Sequence, residues 1–138
     1  MAAELPAELR DLVENLEQNG FSVVAERYDE AHFGNRFVEL IDPSRDSGNA
    51  VRVVRDRGLW SVEILVGGKW RDPYKVVLAL NGSAYSTRAC SHEERHQLTL
   101  EALKRLPPAA SLGPMVERLD EYDREYWRQH GVKDADLQ

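Results

Sequence analysis

Cysteine is nearly absent: Cys90 is the only one in 138 residues. An internal disulfide is therefore impossible, and a reducing compartment is the natural setting for a chain large enough to bury a core without one. Long hydrophobic runs are missing too. The longest, Val76 to Leu80, is far too short to cross a bilayer as a helix. The opening Met1-Ala-Ala-Glu-Leu-Pro lacks the basic and apolar segments of a secretory signal, so the cytoplasm is the expected location. No G-x-G-x-x-G, P-loop or G-x-S-x-G pattern occurs, and nothing in the sequence calls for a cofactor. Nor is there an excess of basic residues. The formal net charge is -6, which disfavours general binding to a phosphate backbone and suits a basic protein partner better.

The remaining composition is that of one globular domain over residues 1–138, with 42% hydrophobic and 30% charged residues. Charge is unevenly spread. Residues 1–49 carry 11 acidic and 4 basic side chains, residues 50–110 carry 6 and 10, and residues 111–138 carry 7 and 4. Leu5, Leu9, Leu12, Val13 and Leu16 fall at helical spacing, and the pattern predicts a first helix over residues 6–19, ended by Gly20. Four strands follow: Phe21 to Tyr28, Arg36 to Asp42, Ala50 to Arg55 and Leu59 to Val66. The run 42–49 is rich in turn formers and reads as a surface loop. Asp56-Arg57-Gly58 joins the last two strands, with Gly58 supplying the positive φ of a three-residue hairpin loop. Gly67-Gly68 ends the fourth strand.

Helical signals then dominate. Pro73 to Asn81 reads as a short helix. Ser91 and Glu94 form an S-x-x-E capping box opening a helix to Leu106. After Pro107-Pro108, a last helix over residues 114–129 carries Met115, Leu119, Tyr122 and Tyr126 as its apolar stripe. The expected fold is α+β: an antiparallel meander of about four strands, flanked by an N-terminal helix and two to three C-terminal helices.

One motif looks catalytic. His92-Glu93-Glu94-Arg95-His96 matches H-E-x-x-H, in which two imidazoles one helical turn apart bind Zn²⁺ and the glutamate activates a bound water. The charged residues inside it, and the capping roles of Ser91 and Glu94, fit a solvated helix start instead. Its third ligand has only Glu117, Glu121 and His130 as candidates, none at diagnostic spacing. A thiol–imidazole pair of Cys90 with His92 or His96 has nothing to orient it. The expectation is therefore no catalytic residue and no metal, with His92 and His96 as the ligands should a zinc site exist.

Binding surfaces have better support. The last helix sets Asp120, Glu121 and Asp123 around Trp127, which lies off the apolar stripe. Acidic groups beside an exposed aromatic suit recognition of a basic protein. Tyr28, Asp29 and Glu30 form a second acidic–aromatic candidate, and Glu39 with Asp42 a third. Arg52, Arg55, Arg57, Lys69, Arg71 and Lys75 beside Trp60, Trp70 and Tyr74 could track single-stranded nucleic acid. Strand alternation places Trp60 with Val62, Ile64 and Val66, so Trp60 reads as core.

Phe33-Gly34-Asn35, then Phe37-Val38-Glu39-Leu40, then Val51 to Glu63 with its V-R-D-R-G-x-W centre, resembles bacterial immunity proteins of polymorphic toxin systems over about residues 28–80. The resemblance implies an α+β cytoplasmic protein that binds and neutralises a toxin domain, and the negative net charge suits a basic one. It brings no catalytic residues. Three readings follow: a protein-binding module of that kind, a small accessory protein acting as a homodimer, and a zinc-dependent hydrolase using the 92–96 motif.

Overall fold

The computed structural model describes residues 5–29 and 35–131. Among these residues, four α-helices pack on one face of a five-stranded antiparallel sheet, an α+β arrangement. The elements run α1 (Ala7–Gln18), β1 (Ser22–Asp29), β2 (Asn35–Ile41), β3 (Ala50–Asp56), β4 (Leu59–Val66), β5 (Lys69–Arg71), α2 (Pro73–Leu80), α3 (His92–Arg105) and α4 (Gly113–Gln129). Strand order equals chain order, so the sheet is a meander with β1 and β5 at its edges. Sequence periodicity predicts four of the strands. The fifth arises because Gly67 and Gly68, both at positive φ, turn the chain back rather than ending the sheet, and Lys69–Arg71 pairs with Ile64–Val66.

The β3–β4 turn is tighter than the expected three-residue loop. Asp56 pairs with Leu59, leaving Arg57 and Gly58 as a two-residue turn with φ of 52° and 83°. Positive φ at both central positions is the signature of a type I′ turn, whose twist matches that of the strands it joins.

Register decides what is buried. Val38 and Leu40 of β2 lie opposite Val53 and Val51 of β3, which lie opposite Val62 and Ile64 of β4. These side chains share one face and are buried beneath the helices together with Val66. Leu9, Leu12, Val13 and Leu16 of α1, Val76 and Val77 of α2, Ala102 and Leu103 of α3, and Met115, Leu119 and Tyr122 of α4 close that core. Each fully buried Leu or Val contributes about 1.5–3 kcal/mol from removal of its apolar surface from water. Trp60, opposite Arg55, packs half-buried at the core's margin. In β1 a bulge between Val23 and Ala25 breaks the alternation: Val23 lies opposite Leu40, but Ala25 lies opposite Glu39 on the other face. Strict alternation would have kept Val23 and Ala25 on a single face, and periodicity alone carries no sign of an inserted residue.

Helix ends follow their capping residues. Asp72 caps α2 by accepting from the Tyr74 amide, with Pro73 at the first helical position. Ser91 and Glu94 form both halves of the capping box on α3. The Glu94 carboxyl is held below its ordinary value, first by the Ser91 backbone hydrogen bond and then by Arg88. Among the described residues, no helix is long and apolar enough to cross a membrane.

Candidate functional site

The last helix places its acidic residues against guanidinium groups. Arg71, at the end of β5 and 5% exposed, donates from Nη2 to Asp120 at 2.7 Å and from Nη1 to Asp123 at 3.0 Å. Lys69 Nζ lies 3.6 Å from Asp120. Arg124 pairs with Glu121 at 2.6 Å, and Arg128 bridges Glu121 and Glu125 at 3.4 and 3.0 Å. Hydrogen bonds from Arg71 and Arg124 are the main reason the Asp120 and Glu121 carboxyls are held below their ordinary values. A helix that reads as acidic in sequence thus presents mixed charge. Glu117, Arg118, Asp120, Glu121 and Arg124, with Pro114, line an open hollow of about 590 Å³ on it.

Trp127 is 46% exposed. It stands edge-on to Tyr126 at 5.0 Å, and Tyr126 stacks on His130 at 4.2 Å. Tyr126 is half-buried, while Tyr122 is buried and donates its hydroxyl to the Ser83 carbonyl. Of the second candidate group, Tyr28 and Asp29 lie in β1 opposite Arg36 and Asn35, and Glu30 lies outside the described residues. Asp42 is buried and turns inward onto its own loop, accepting from the Ser44 hydroxyl and amide, which lowers its carboxyl.

The H-E-x-x-H residues point to separate surroundings. His92 Nδ1 is 3.4 Å from the Arg95 guanidinium, and His96 Nε2 is 3.5 Å from the Asn15 side-chain amide of α1. Both rings are half-buried rather than fully solvated. Glu93 lines a different hollow with Arg88, Glu94, Gln97 and Leu98. The candidate third ligands are held elsewhere: Glu121 by arginines, and His130 through Nδ1 at the Tyr126 carbonyl. Among the described residues, no three His, Cys, Asp or Glu side chains converge as a metal site.

The basic–aromatic segment is likewise dispersed. Lys75 Nζ sits over the Tyr85 and Tyr126 rings at 5.8 and 5.2 Å, Arg88 stacks over Tyr74, and Arg71 is buried. Arg52 belongs to a surface that the sequence pattern left unassigned, the sheet face opposite the helices.

Three cross-strand rows make up that face. Arg27, Phe37, Val54 and Ser61 form the first, and Ala25, Glu39, Arg52 and Glu63 the second. In the third, Ile41 lies opposite Ala50, and Leu65 lies opposite Trp70. Phe37, Ile41, Val54, Leu65 and Trp70 are each only half-buried, and none of the described helices covers them. A one-sided antiparallel sheet normally turns polar side chains to water. Here Phe37 and Val54 on one side, and Ile41, Leu65 and Trp70 on the other, flank a charged row. At its centre Arg52 donates from Nε and Nη2 to the same Glu63 oxygen, at 2.9 and 2.6 Å. Its guanidinium also stacks over Trp70, 4.4 Å from the ring centre. Glu39, on the other side of Arg52, makes no side-chain hydrogen bond or ion pair with a described residue. The signal for this face was present in the strand Phe37-Val38-Glu39-Leu40-Ile41, whose two alternation phases are both apolar-rich. No protein-family model, curated protein or solved structure matches the chain.

Proposed function

We propose that this protein is a binding module that acts by forming a stoichiometric complex with another protein, and that its partner is a toxin domain it neutralises. The observation that carries the binding reading is the open sheet face, where half-buried Phe37, Ile41, Val54, Leu65 and Trp70 surround an ordered charged row. Apolar area with a fixed polar centre is what a protein interface needs: hydrophobic contact for affinity, and polar groups for register. The hairpin Val51 to Glu63, part of the stretch that resembles immunity proteins, contributes Arg52, Val54, Ser61 and Glu63 to this face. Occlusion requires no reacting group on the neutraliser, so the reading asks nothing catalytic of His92, Glu93 or His96.

Co-expression with candidate toxin domains, sought first among the genes beside its own, tests this. The expected result is restored growth and an equimolar complex on gel filtration. Growth arrest that persists, with the two proteins eluting separately, would remove the toxin reading. A concentration-dependent homodimer whose interface buries the sheet face would replace it with the accessory-dimer reading.

A further inference from the structure

We infer that the open sheet face receives a basic side chain of the partner at Glu39, with apolar partner side chains seated on the rows to either side. The inference rests on the protein-binding reading and names the chemistry of the partner.

Charge within the central row is asymmetric, and the face's other cation, the exposed Arg27, stands at the end of the first row on β1. The central row holds two carboxylates, Glu39 and Glu63, and one guanidinium, Arg52. Arg52 is already committed: its Nε and Nη2 both donate to Glu63, and its guanidinium lies over Trp70. Glu63 therefore has its charge answered within the protein, while Glu39 pairs with no side chain among the described residues. A partner lysine or arginine reaching Glu39 would gain a charge-assisted hydrogen bond in a setting that apolar neighbours shield from water.

Spacing narrows the partner further. Side chains on one face of a strand recur about every 7 Å, and adjacent strands lie about 4.8 Å apart. Along β2, Phe37 and Ile41 flank Glu39 on the same face. Val54 and Ala50 flank Arg52 in β3, so the apolar rows repeat on both sides of the charged one. The matching ligand is a basic residue with an apolar or aromatic residue about 7 Å to each side. Alternate positions of an extended segment meet that spacing.

The same asymmetry argues against two other occupants. A second copy placed face to face would bring one net-negative central row against another, desolvating like charges. A nucleic acid would bring phosphates to Glu39.

The test is a selection of displayed random dodecapeptides on the full-length protein, followed by fluorescence anisotropy of the enriched peptides. The expected winners carry Arg or Lys between apolar residues. Glu39→Gln should weaken them roughly tenfold, the size of one lost charge-assisted contact of about 1.4 kcal/mol. Leu65→Ser and Phe37→Ser should also weaken them, whereas Glu14→Gln on the exposed side of α1 should leave them unchanged. Melting curves of each variant separate lost binding from lost folding. Glu39→Asp, which keeps the charge, should retain more affinity than Glu39→Gln. The inference is overturned by acidic or uncharged winners, by no enrichment, by indifference to Glu39→Gln and Leu65→Ser, or by self-association through this face. Preference for a single-stranded oligonucleotide over the peptides would overturn it as well. Should a toxin complex form while Glu39→Gln leaves its affinity unchanged, this inference falls and the binding reading stands.

Discussion

The guanidinium of Arg71 sits between Asp120 and Asp123, 2.7 Å from the first and 3.0 Å from the second, and ties the edge of the sheet to the middle of α4. Arg71 is almost wholly buried, while both carboxylates keep contact with solvent. A residue pair 49 positions apart in sequence thereby fixes which way the last helix lies.

Asp120→Ala leaves Arg71 buried with half its acceptors gone. The expected loss is about 1–3 kcal/mol in urea denaturation, tempered by the partial exposure of the carboxylate. Arg71→Met with Asp120→Ala should recover part of that loss, because no uncompensated cation then remains in the interior.

The same pair sets an acid response. The Arg71 hydrogen bond holds the Asp120 carboxyl below its ordinary value near 3.8, against the opposing effect of desolvation. The folded state therefore binds fewer protons than the unfolded chain between the two pKa values. This stabilisation is full above the unfolded value and disappears as pH falls through the folded one. Stability measured from pH 6 downward should fall less steeply in Asp120→Asn than in the wild type. An identical slope would show that Asp120 does not contribute to acid unfolding.

Arg57 occupies the left-handed region at φ 52°, where a residue with a Cβ is strained. Arg57→Asn gives the turn its preferred Asn-Gly pair and should stabilise by about 0.5–1 kcal/mol. Gly58→Ala should cost about 1 kcal/mol or more, although no side chain crowds the site, because φ is 83° there. Thermal melts of the two variants should move in opposite directions.

Adjacent strand residues should answer differently to truncation. Ile64 is fully buried under the helices, so Ile64→Ala is expected to cost about 2–5 kcal/mol. Leu65 faces the other way and is half-buried, so Leu65→Ala should cost under about 1.5 kcal/mol in the free protein. Comparable losses in chemical denaturation would mean that something covers the outer face.

Zinc should leave the protein unchanged. His92 lies beside the Arg95 guanidinium and His96 beside Asn15, so the two imidazoles are not presented together to one ion. Dialysis against chelator is expected to leave the melting temperature within error, and the purified protein should carry no stoichiometric zinc. A chelator-induced drop abolished by His96→Ala would contradict this.

Local patterns made much of the fold legible. The 3.6-residue period of Leu9, Leu12, Val13 and Leu16, the alternation of Val62, Ile64 and Val66, and the Ser91–Glu94 box all act between near neighbours, so each can be read without knowing what packs against it. The β1 bulge and the three-residue β5 escaped because each is defined by a strand elsewhere in the chain. The acidity of α4 misled for a similar reason: sequence counts Asp120 and Asp123 as acid, but cannot show that Arg71 lies between them.

The sequence by itself determined the class of the protein: an α+β fold, a hairpin turning within Asp56-Arg57-Gly58, an amphipathic last helix and a negative net charge. Tertiary structure alone decided which charges are answered and which apolar side chains remain half-open. All four helices chose one side of the sheet, since burying Val38, Leu40, Val51, Val53, Val62 and Ile64 together removes the most apolar surface from water. That choice left Glu39 and its apolar neighbours on the other side, joined across strands by a register no single segment encodes.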